Sequence, residues 1–340
     1  YHLILKNISL CGLISNDTET GVSLGFALWA VLALGLSWDG LGSMAFSLAL
    51  NYKQMELYHA LPFFCYLLGK CVKMGLMGRG LLMLVKVAAA VLVTFALCWL
   101  PFLSDPAQTL QVLRRIFPVA RGLFEDKVAN TWCSLNILIK IRSILSTDFQ
   151  LYLSLACTVL AVLPSCIRVL TKPTFWQFKL TLVNSSLGFF LFSYQVHEKS
   201  ILLASFMLPL LLKDGLLVPY VVTSLGFLFF STYLLSALKH GSEEELALGA
   251  YHKLFFFLPR MDLAWIVRTP LFAFQFYISL SAMACLSIAS VAIPPPPHLP
   301  DLFPVLVSTF SFVHFLGTFL YFNVVQFSPP PSKKGQKKNK

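Results

Sequence analysis

Two short polar stretches carry the residues of this chain that could bind an anion. The first is residues 114–133, RRIFPVARGLFEDKVANTWC, in which charged side chains are interleaved with aromatic ones. The second is QVHEKS at 195–200, in which His197, Glu198 and Lys199 follow one another. Arginine presents a fixed fork of donors that matches a phosphate, and lysine supplies a point charge. We therefore expect these stretches to hold a phosphate-bearing group.

A third stretch, NYKQMELYHALP at 51–62, interrupts an apolar region with Lys53, Glu56 and His59. Ionisable residues at membrane depth usually have a function, so we interpret this cluster as part of a site. The alternative is an ordinary interfacial turn that is anchored by its tyrosine side chains.

The candidate site residues fall into two groups. Four cations are expected to contact the phosphate: Arg121, Lys127, His197 and Lys199. Five residues are expected to support them: Lys53, Glu56, Glu125, Asp126 and Glu198. The same charged residues also have purely structural explanations. Residues 114–133 could form a solvated amphipathic helix that only connects two spans, and a lysine beside a span end can snorkel to water without any ligand.

Other kinds of catalytic site lack a sequence pattern here. The chain has no glycine-rich phosphate loop, no ordered serine, histidine and aspartate set, and no ligand spacing typical of a metal site. Its eight cysteines include no C-x-x-C pair, and most lie in or near apolar segments, so we interpret them as small core residues. We expect no metal and no cofactor.

The composition is that of an integral membrane protein. Of the 340 residues, 57% are hydrophobic and 12% charged, whereas soluble domains carry about 25% charged residues. Apolar runs of helical length dominate and no alternating strand pattern is present, which predicts an all-α polytopic bundle. The net charge of +11 comes from basic residues at span ends and in the C-terminal tail, so it does not indicate a nucleic-acid partner.

The apolar runs divide the chain into predicted segments. These are a divergent N-terminal stretch at 1–20, a membrane domain at 21–327 with an amphipathic surface segment at 104–150, and a basic tail at 328–340. Spans are predicted at 22–38, 81–103, 151–170, 178–193, 216–238, 263–291 and 303–327. Two apolar segments, 40–50 and 200–212, are too short to cross a hydrocarbon core of about 30 Å.

Lysine and arginine residues in short loops predict the orientation of the bundle. The tail contains five lysines, so we expect it to face the cytosol. Counting spans back from the tail puts the 104–150 segment and QVHEKS together on the opposite side. That count holds only if 200–212 does not make a full crossing. Lys337 and Lys338 resemble the dilysine retrieval signal of endoplasmic-reticulum membrane proteins.

The same three stretches carry a resemblance to a known family. NYKQMELYHALPFF, TLQVLRRIFPVARGLFEDKVANTWCSLN and FSYQVHEKSILL closely resemble the endoplasmic-reticulum glucosyltransferases that use dolichyl-phosphate glucose. The resemblance runs from about Gly21 to the last span, and RGLFEDKVANTWC is its long and specific part. It implies a GT-C-type helical bundle in the endoplasmic-reticulum membrane, with a lumenal active site at the membrane surface.

The resemblance also implies a reaction. Glucose would move from dolichyl-phosphate glucose to a lipid-linked Man9GlcNAc2 oligosaccharide as its first glucose, with inversion at the anomeric carbon. Both lipid-linked substrates and the membrane lipid are then the partners. The leaving group is a phosphate anion that cations can stabilise without a general acid, which fits the four candidate cations. An inverting transfer also needs a carboxylate base for the acceptor hydroxyl.

The resemblance places that base in a first lumenal loop, upstream of Tyr1. We therefore expect the chain to be N-terminally truncated relative to the family and, when expressed alone, to transfer no glucose. Two alternatives remain open: a non-catalytic truncated isoform, and the family member that adds the second glucose. A transporter is disfavoured, because the charges gather at span ends and no repeated halves are found.

Overall fold

The structure is a computed structural model that describes the chain from residue 18 to residue 328 with gaps. The described residues are 18–75, 77–103, 106–116, 128–194, 196–197, 200–211, 292–328 and scattered positions within 278–290. Every regular element among them is a helix, which confirms the all-α prediction. The α-helices are α1 (Thr18–Gly35), α2 (Asp39–Tyr52), α3 (Leu57–Lys73), α4 (Arg79–Trp99), α5 (Pro106–Ile116), α6 (Thr131–Ile139), α7 (Ile141–Ile144), α8 (Thr147–Thr171), α9 (Phe175–Phe192), α10 (Ile201–Met207) and α11 (Leu302–Phe327). Short 3-10 turns lie at Gln54–Glu56, Leu100–Phe102 and Leu208–Leu211.

Three of the described helices are long and apolar enough to cross a membrane. They are Arg79–Phe102, which is α4 with the 3-10 turn that continues it, and the helices α8 and α11. The first helix contributes a shorter apolar stretch over Gly21–Gly35. These helices confirm the predicted polytopic membrane protein and agree with the expected GT-C-type bundle.

Helix α9 lies at the centre of the bundle. It packs against α3, α8, α10 and α11, and its side chains from Phe178 to Leu191 are buried almost without interruption. Because α9 is surrounded by helices, its polar side chains point to protein neighbours rather than to water. The span predicted at 178–193 is therefore present as a helix, and it is the core of the bundle rather than a lipid-facing element.

A buried amide fixes α11 against α8 and α9. The side-chain oxygen of Gln326 accepts hydrogen bonds from Ser165 Oγ and Asn184 Nδ2. Its side-chain nitrogen donates to the Ser165 carbonyl and to Thr181 Oγ1. The Gln326 side chain is 0% exposed, so these bonds do not compete with water. One residue thus joins three helices.

The bundle has two polar ends. At one end, Asp39 at the start of α2 forms an ion pair with Lys70 near the end of α3, with 2.6 Å between Oδ1 and Nζ. At the opposite end, Trp99 at the end of α4 donates from Nε1 to Asn51 Oδ1, near the end of α2, at 2.8 Å. The C-terminal end of α9 lies at this second end, beside the first turn of α3.

Both short apolar segments are helical. The segment 40–50 lies within α2, which packs along α1. The segment 200–212 contains α10 and the turn Leu208–Leu211, and it follows α9 towards Lys179, whose Nζ donates to the Leu210 carbonyl at 2.9 Å. At a rise of roughly 1.5–2.0 Å per residue this segment is shorter than a hydrocarbon core of about 30 Å, in line with the expectation.

Helices begin within two of the polar regions. The 51–62 stretch is not only a turn, because α3 begins within it at Leu57. The span expected from residue 151 begins earlier, at Thr147, where Ser146 caps α8 by accepting a hydrogen bond from the Phe149 N–H. Neighbouring elements bury Glu56 and His59 in the first of these regions, whereas the first residues of α8, at 147–149, stay exposed.

Some predictions fall outside the described residues. These are the N-terminal stretch up to residue 17, the span at 216–238, most of the span at 263–291 and the tail from residue 329. The division into segments and the orientation of the bundle stay predictions.

Candidate functional site

The C-terminal end of α9 brings together parts of all three polar stretches of the sequence. Trp132 of α6 donates from Nε1 to the carbonyl of Phe192, the last residue of α9, at 2.9 Å. Tyr58 of α3 stacks on Phe189, with ring centroids 4.8 Å apart and an angle of 8° between the planes. Helix α9 then leads directly into the segment that contains His197. Two of the stretches therefore contact one end of α9, and the helix continues into the third.

Pro62 explains why the first turn of α3 needs a partner outside its own helix. Proline has no N–H, so the carbonyl of Tyr58, four residues earlier, lacks its usual helical donor. The Ser185 hydroxyl of α9 donates to that carbonyl instead. Backbone groups at membrane depth must be satisfied within the protein, so this bond ties α3 to α9.

A buried chain of three polar side chains links α3 to the middle of α9. His59 Nδ1 lies 2.8 Å from Glu56 Oε2, and His59 Nε2 lies 2.7 Å from Ser186 Oγ. Glu56 is 1% exposed and His59 is 0% exposed, so neither side chain reaches solvent. Ser23 Oγ of α1 lies 3.4 Å from the second carboxylate oxygen of Glu56.

The hydrogen-bond pattern gives the linked side chains of Glu56, His59 and Ser186 no net charge. Ser186 has a single hydroxyl hydrogen and donates it to the Leu182 carbonyl at 2.7 Å, so its oxygen accepts from His59 Nε2. One further proton between His59 Nδ1 and the Glu56 carboxylate then leaves the pair neutral, whichever of the two atoms carries it. An unpaired charge in this position would be costly to bury. Glu56 is thus engaged in the interior and does not face a substrate.

The segment after α9 is anchored on both sides of His197. Ser193 ends α9 by donating its N–H to the Phe189 carbonyl at 3.0 Å. Val196 and Ser200 are each 2% exposed, and the Ser200 N–H donates to the His197 carbonyl at 2.9 Å. The His197 side chain itself is exposed. Buried neighbours thus hold an imidazole at the surface.

The stretch before Trp132 is anchored from Val128 onward. Val128 and Ala129 are 1% and 4% exposed, and Asn130 caps α6 by accepting a hydrogen bond from the Cys133 N–H at 2.8 Å. Core packing and helix capping therefore account for the VANTWC part of the motif. The charged part immediately before it, at 121–127, lies outside the described residues.

The structure places three of the nine predicted site residues. His197 is exposed beyond the end of α9, Lys53 is half-buried in the turn after α2, and Glu56 is buried beside His59. The other six lie outside the described residues: Arg121, Glu125, Asp126, Lys127, Glu198 and Lys199. Any contribution of Glu56 to a site is indirect, because its carboxylate points into the bundle.

Sequence reasoning named Glu56, His59 and the motif of Trp132, but it missed the partners that join them to α9. Glu56 and His59 are three positions apart on consecutive helical turns, a spacing that predicts contact. No sequence signal pairs His59 with Ser186, which lies 127 positions away. Trp132 belongs to the motif, but its partner is a backbone carbonyl, and a backbone partner leaves no trace in residue type.

Among the described side chains at the end of α9, the exposed imidazole of His197 suits a hydrogen bond to a phosphate or a sugar, whereas the Trp132 N–H is already donated to the Phe192 carbonyl. Among the described residues, no group of three or more His, Cys, Asp or Glu side chains could hold a metal ion. The seven cysteines in that part of the chain form no disulfide with one another, and Cys65, Cys71 and Cys166 are buried.

Comparison with known proteins agrees with the resemblance of the motifs. The profile of the family described as ALG6, ALG8 glycosyltransferase family matches residues 20–321. A Gallus gallus protein named dolichyl pyrophosphate Man9GlcNAc2 alpha-1,3-glucosyltransferase is 51% identical over 93% of this chain. Proteins of the same name from Pongo abelii and Mus musculus are 48% identical, over 93% and 89% of this chain. The chain spans 66%, 66% and 64% of the lengths of these three relatives.

Proposed function

Because this chain belongs to the ALG6, ALG8 glycosyltransferase family, we propose that it forms the donor-phosphate site of a glucosyltransferase. The reaction is the transfer of the first glucose from dolichyl-phosphate glucose to Man9GlcNAc2 on dolichyl pyrophosphate, in an inverting alpha-1,3 linkage. The names of the relatives support the acceptor and the linkage. The assignment of dolichyl-phosphate glucose as the donor rests on the resemblance of the motifs.

The observation that carries the proposal is the convergence at the C-terminal end of α9. The Trp132 indole and the Tyr58 ring both contact the last turn of this helix, and His197 follows it. The three stretches that resemble the family most closely are far apart in sequence, and a shared place in the fold is what a common site requires.

The proposed chemistry depends on charge at the leaving group. When the bond from the sugar to the phosphate breaks, the phosphate gains negative charge, so cations that contact it stabilise the transition state more than the bound substrate. We assign this role to Arg121, Lys127, His197 and Lys199. Lys53, Glu56, Glu125, Asp126 and Glu198 support their positions.

The substrates explain where such a site should lie. Both carry a lipid tail and a polar head, so the reacting groups meet at the membrane surface. We place the protein in the endoplasmic-reticulum membrane as a multi-pass protein, with the end of α9 facing the lumen and the basic tail facing the cytosol. Membrane lipid is then a constant partner, and nucleic acid is not.

The base that accepts the proton of the acceptor hydroxyl is a separate requirement. The carboxylate of Glu56 is paired with His59 in the interior and is 1% exposed, which makes it unsuitable. We propose that the base belongs to the part of the relatives that the match leaves out.

A chimera tests the proposed function. Residues 21–327 replace the matching part of the Gallus gallus relative, and the chimera is expressed in cells that lack the first glucosyltransferase. The lipid-linked oligosaccharides are then released and identified by mass. We expect the monoglucosylated species to reappear. Unmodified Man9GlcNAc2 alone, at a membrane abundance equal to that of the intact relative, contradicts the proposal.

Addition of the second glucose is the alternative function, because the description of the matched family names two members. The same chimera in cells that lack the second glucosyltransferase decides between them. Conversion of the monoglucosylated species to the diglucosylated one would favour the alternative. A chimera that is stable and inactive in both cell types would favour a non-catalytic role.

A further inference from the structure

The end of the bundle that contains the Asp39–Lys70 ion pair is rich in cations. Helix α3 ends there and crosses α8 closely, because a Cβ added at Gly69 would lie 2.6 Å from the Leu170 carbonyl oxygen. Exposed cations stand at the end of α3, at the start of α4 and just after α8, namely Lys73, Arg79 and Lys172. This end of the bundle therefore presents a positive surface.

Carboxylates that could balance this charge lie elsewhere. Glu56 precedes α3, Asp148 is in the first turn of α8, and Asp301 precedes α11, so all three lie at the opposite ends of these helices. Among the residues whose side chains the structure describes, Asp39 is the carboxylate at the basic end, and it is already paired with Lys70 at 2.6 Å.

Arg168, in the last turn of α8, is the cation whose surroundings call most clearly for an anion. It is half-buried, and its Nε is shielded from solvent and has no hydrogen-bond partner among the described residues. The ring of Phe327, at the end of α11, lies with its centroid 5.7 Å from Cζ. This cation–π contact offsets part of the cost of burial, but it leaves the Nε donor without an acceptor.

Arg168 also lies at the edge of the side of α8 that faces lipid. Its neighbour Val169 is buried in the core, whereas Ile167 is exposed. On α11, Val324 and Phe327 are exposed as well. The guanidinium group is therefore found where apolar surface on two membrane helices meets the polar end of the bundle.

We propose that Arg168 and Lys172 bind the phosphate of an anionic phospholipid, whose acyl chains lie along the exposed apolar sides of α8 and α11. The two residues are four positions apart, so their side chains can reach the same group. Arginine suits a phosphate because its donors form a fixed fork, and lysine adds a point charge. This site goes beyond the proposed function and lies at the other end of α9 from the proposed donor site.

The local charge favours a lipid with a net negative head group. A zwitterionic head group carries an ammonium that these cations repel, whereas an anionic one does not. Basic sites between membrane helices on the cytosolic side bind anionic head groups, and each lysine or arginine near the surface contributes about 1 kcal/mol. With the end of α9 facing the lumen, as proposed above, Arg168 and Lys172 face the cytosolic leaflet, which is the anionic one.

A lipid titration tests this site and needs no activity. The full chain is purified in a neutral detergent and titrated with phosphatidylserine or with phosphatidylcholine of the same acyl chains, and native mass spectrometry measures the bound fraction. We expect phosphatidylserine to bind at least about fivefold more tightly. Arg168→Gln and Lys172→Gln should each weaken its binding by about fivefold, or about 1 kcal/mol, with little effect on phosphatidylcholine. Equal affinity for the two lipids, or an unchanged affinity in both variants, would overturn the proposal.

Two control variants separate the site from net charge and from folding. Lys140 is an exposed cation in the connection between α6 and α7, near the other end of the bundle, and its φ of 48° is one that asparagine tolerates. Lys140→Asn should therefore leave the affinity for phosphatidylserine unchanged, and Lys172→Arg, which keeps the charge, should retain it. A loss in Lys140→Asn as large as that in Arg168→Gln would show a general effect of charge and contradict the site.

Soluble competitors distinguish a lipid from other anions. The acyl chains contribute to binding in the proposed site, so neither glycerophosphoserine nor a polyglutamate peptide should displace phosphatidylserine at an equal concentration. Displacement by glycerophosphoserine would assign Arg168 and Lys172 to a soluble phosphate. Displacement by the peptide would assign them to an acidic protein. Either result refutes the lipid site.

Discussion

His59 Nε2 and Ser186 Oγ lie 2.7 Å apart, although the two residues are 127 positions apart in the sequence. Both side chains are 0% exposed. The contact fixes the polar stretch at 51–62 against the central helix of the bundle. The same helix ends beside Trp132 and leads into the His197 segment, so the position of one stretch is coupled to the positions of the other two.

The Glu56–His59 pair predicts a non-additive effect of mutation. His59→Leu should destabilise the protein by about 3 kcal/mol, because it leaves the Glu56 carboxyl buried without its partner. Replacing both residues by leucine should cost less than His59→Leu alone, since no unpaired charge remains. Thermal unfolding of the detergent-solubilised chain, followed by size-exclusion chromatography, measures both. A double variant less stable than His59→Leu would contradict the buried pair.

The Gln326 amide predicts a local loss of helix association. Gln326→Ala removes four side-chain hydrogen bonds to α8 and α9, which at about 0.6 kcal/mol each lowers stability by about 2 kcal/mol. Asn323→Ala is the control, because the Asn323 side chain bonds to the Phe319 carbonyl of its own helix. We expect a lower melting temperature for the first variant only. Similar melting temperatures for the two would show that the amide does not join the helices.

Much of the fold follows from the sequence because its signals are local. Length and apolarity predict the spans, and a capping serine such as Ser146 marks where α8 begins. The sequence predicts the candidate site less completely, because the geometry of the site depends on contacts between residues that are far apart in the chain. Ser186 is an unremarkable serine in an apolar run, and only the fold brings it to His59. The Phe192 carbonyl that meets Trp132 has no signal in residue type at all.

The close approach of α3 and α8 predicts intolerance to a methyl group. A Cβ at Gly69 would lie 2.6 Å from the carbonyl oxygen of Leu170. Gly69→Ala should therefore force the helices apart and destabilise the protein by about 1–3 kcal/mol. Gly25→Ala, where nothing lies within 4 Å of the added Cβ, should instead gain up to about 1 kcal/mol from helix propensity. Melting temperatures that shift equally in both variants would rule out the tight crossing.

The bond from Ser185 to the Tyr58 carbonyl predicts a rescue. Ser185→Ala should destabilise the protein by about 1–3 kcal/mol, because that carbonyl then has no donor. Adding Pro62→Ala supplies an N–H four residues after Tyr58 and should restore part of the loss. The melting temperatures of the single and double variants give the answer. If Pro62→Ala lowers stability equally with and without Ser185, the carbonyl is not the cause.

The most direct test of the account is the rate of glucose transfer by the chimera from dolichyl-phosphate glucose to lipid-linked Man9GlcNAc2. Arg121→Ala, His197→Ala and Lys199→Ala should each lower kcat/KM by at least about tenfold, or about 1.4 kcal/mol of transition-state stabilisation. His298→Ala, which removes an exposed histidine from the loop before α11, should keep the full rate. An active chimera in which all three variants match His298→Ala would contradict a phosphate site at the end of α9.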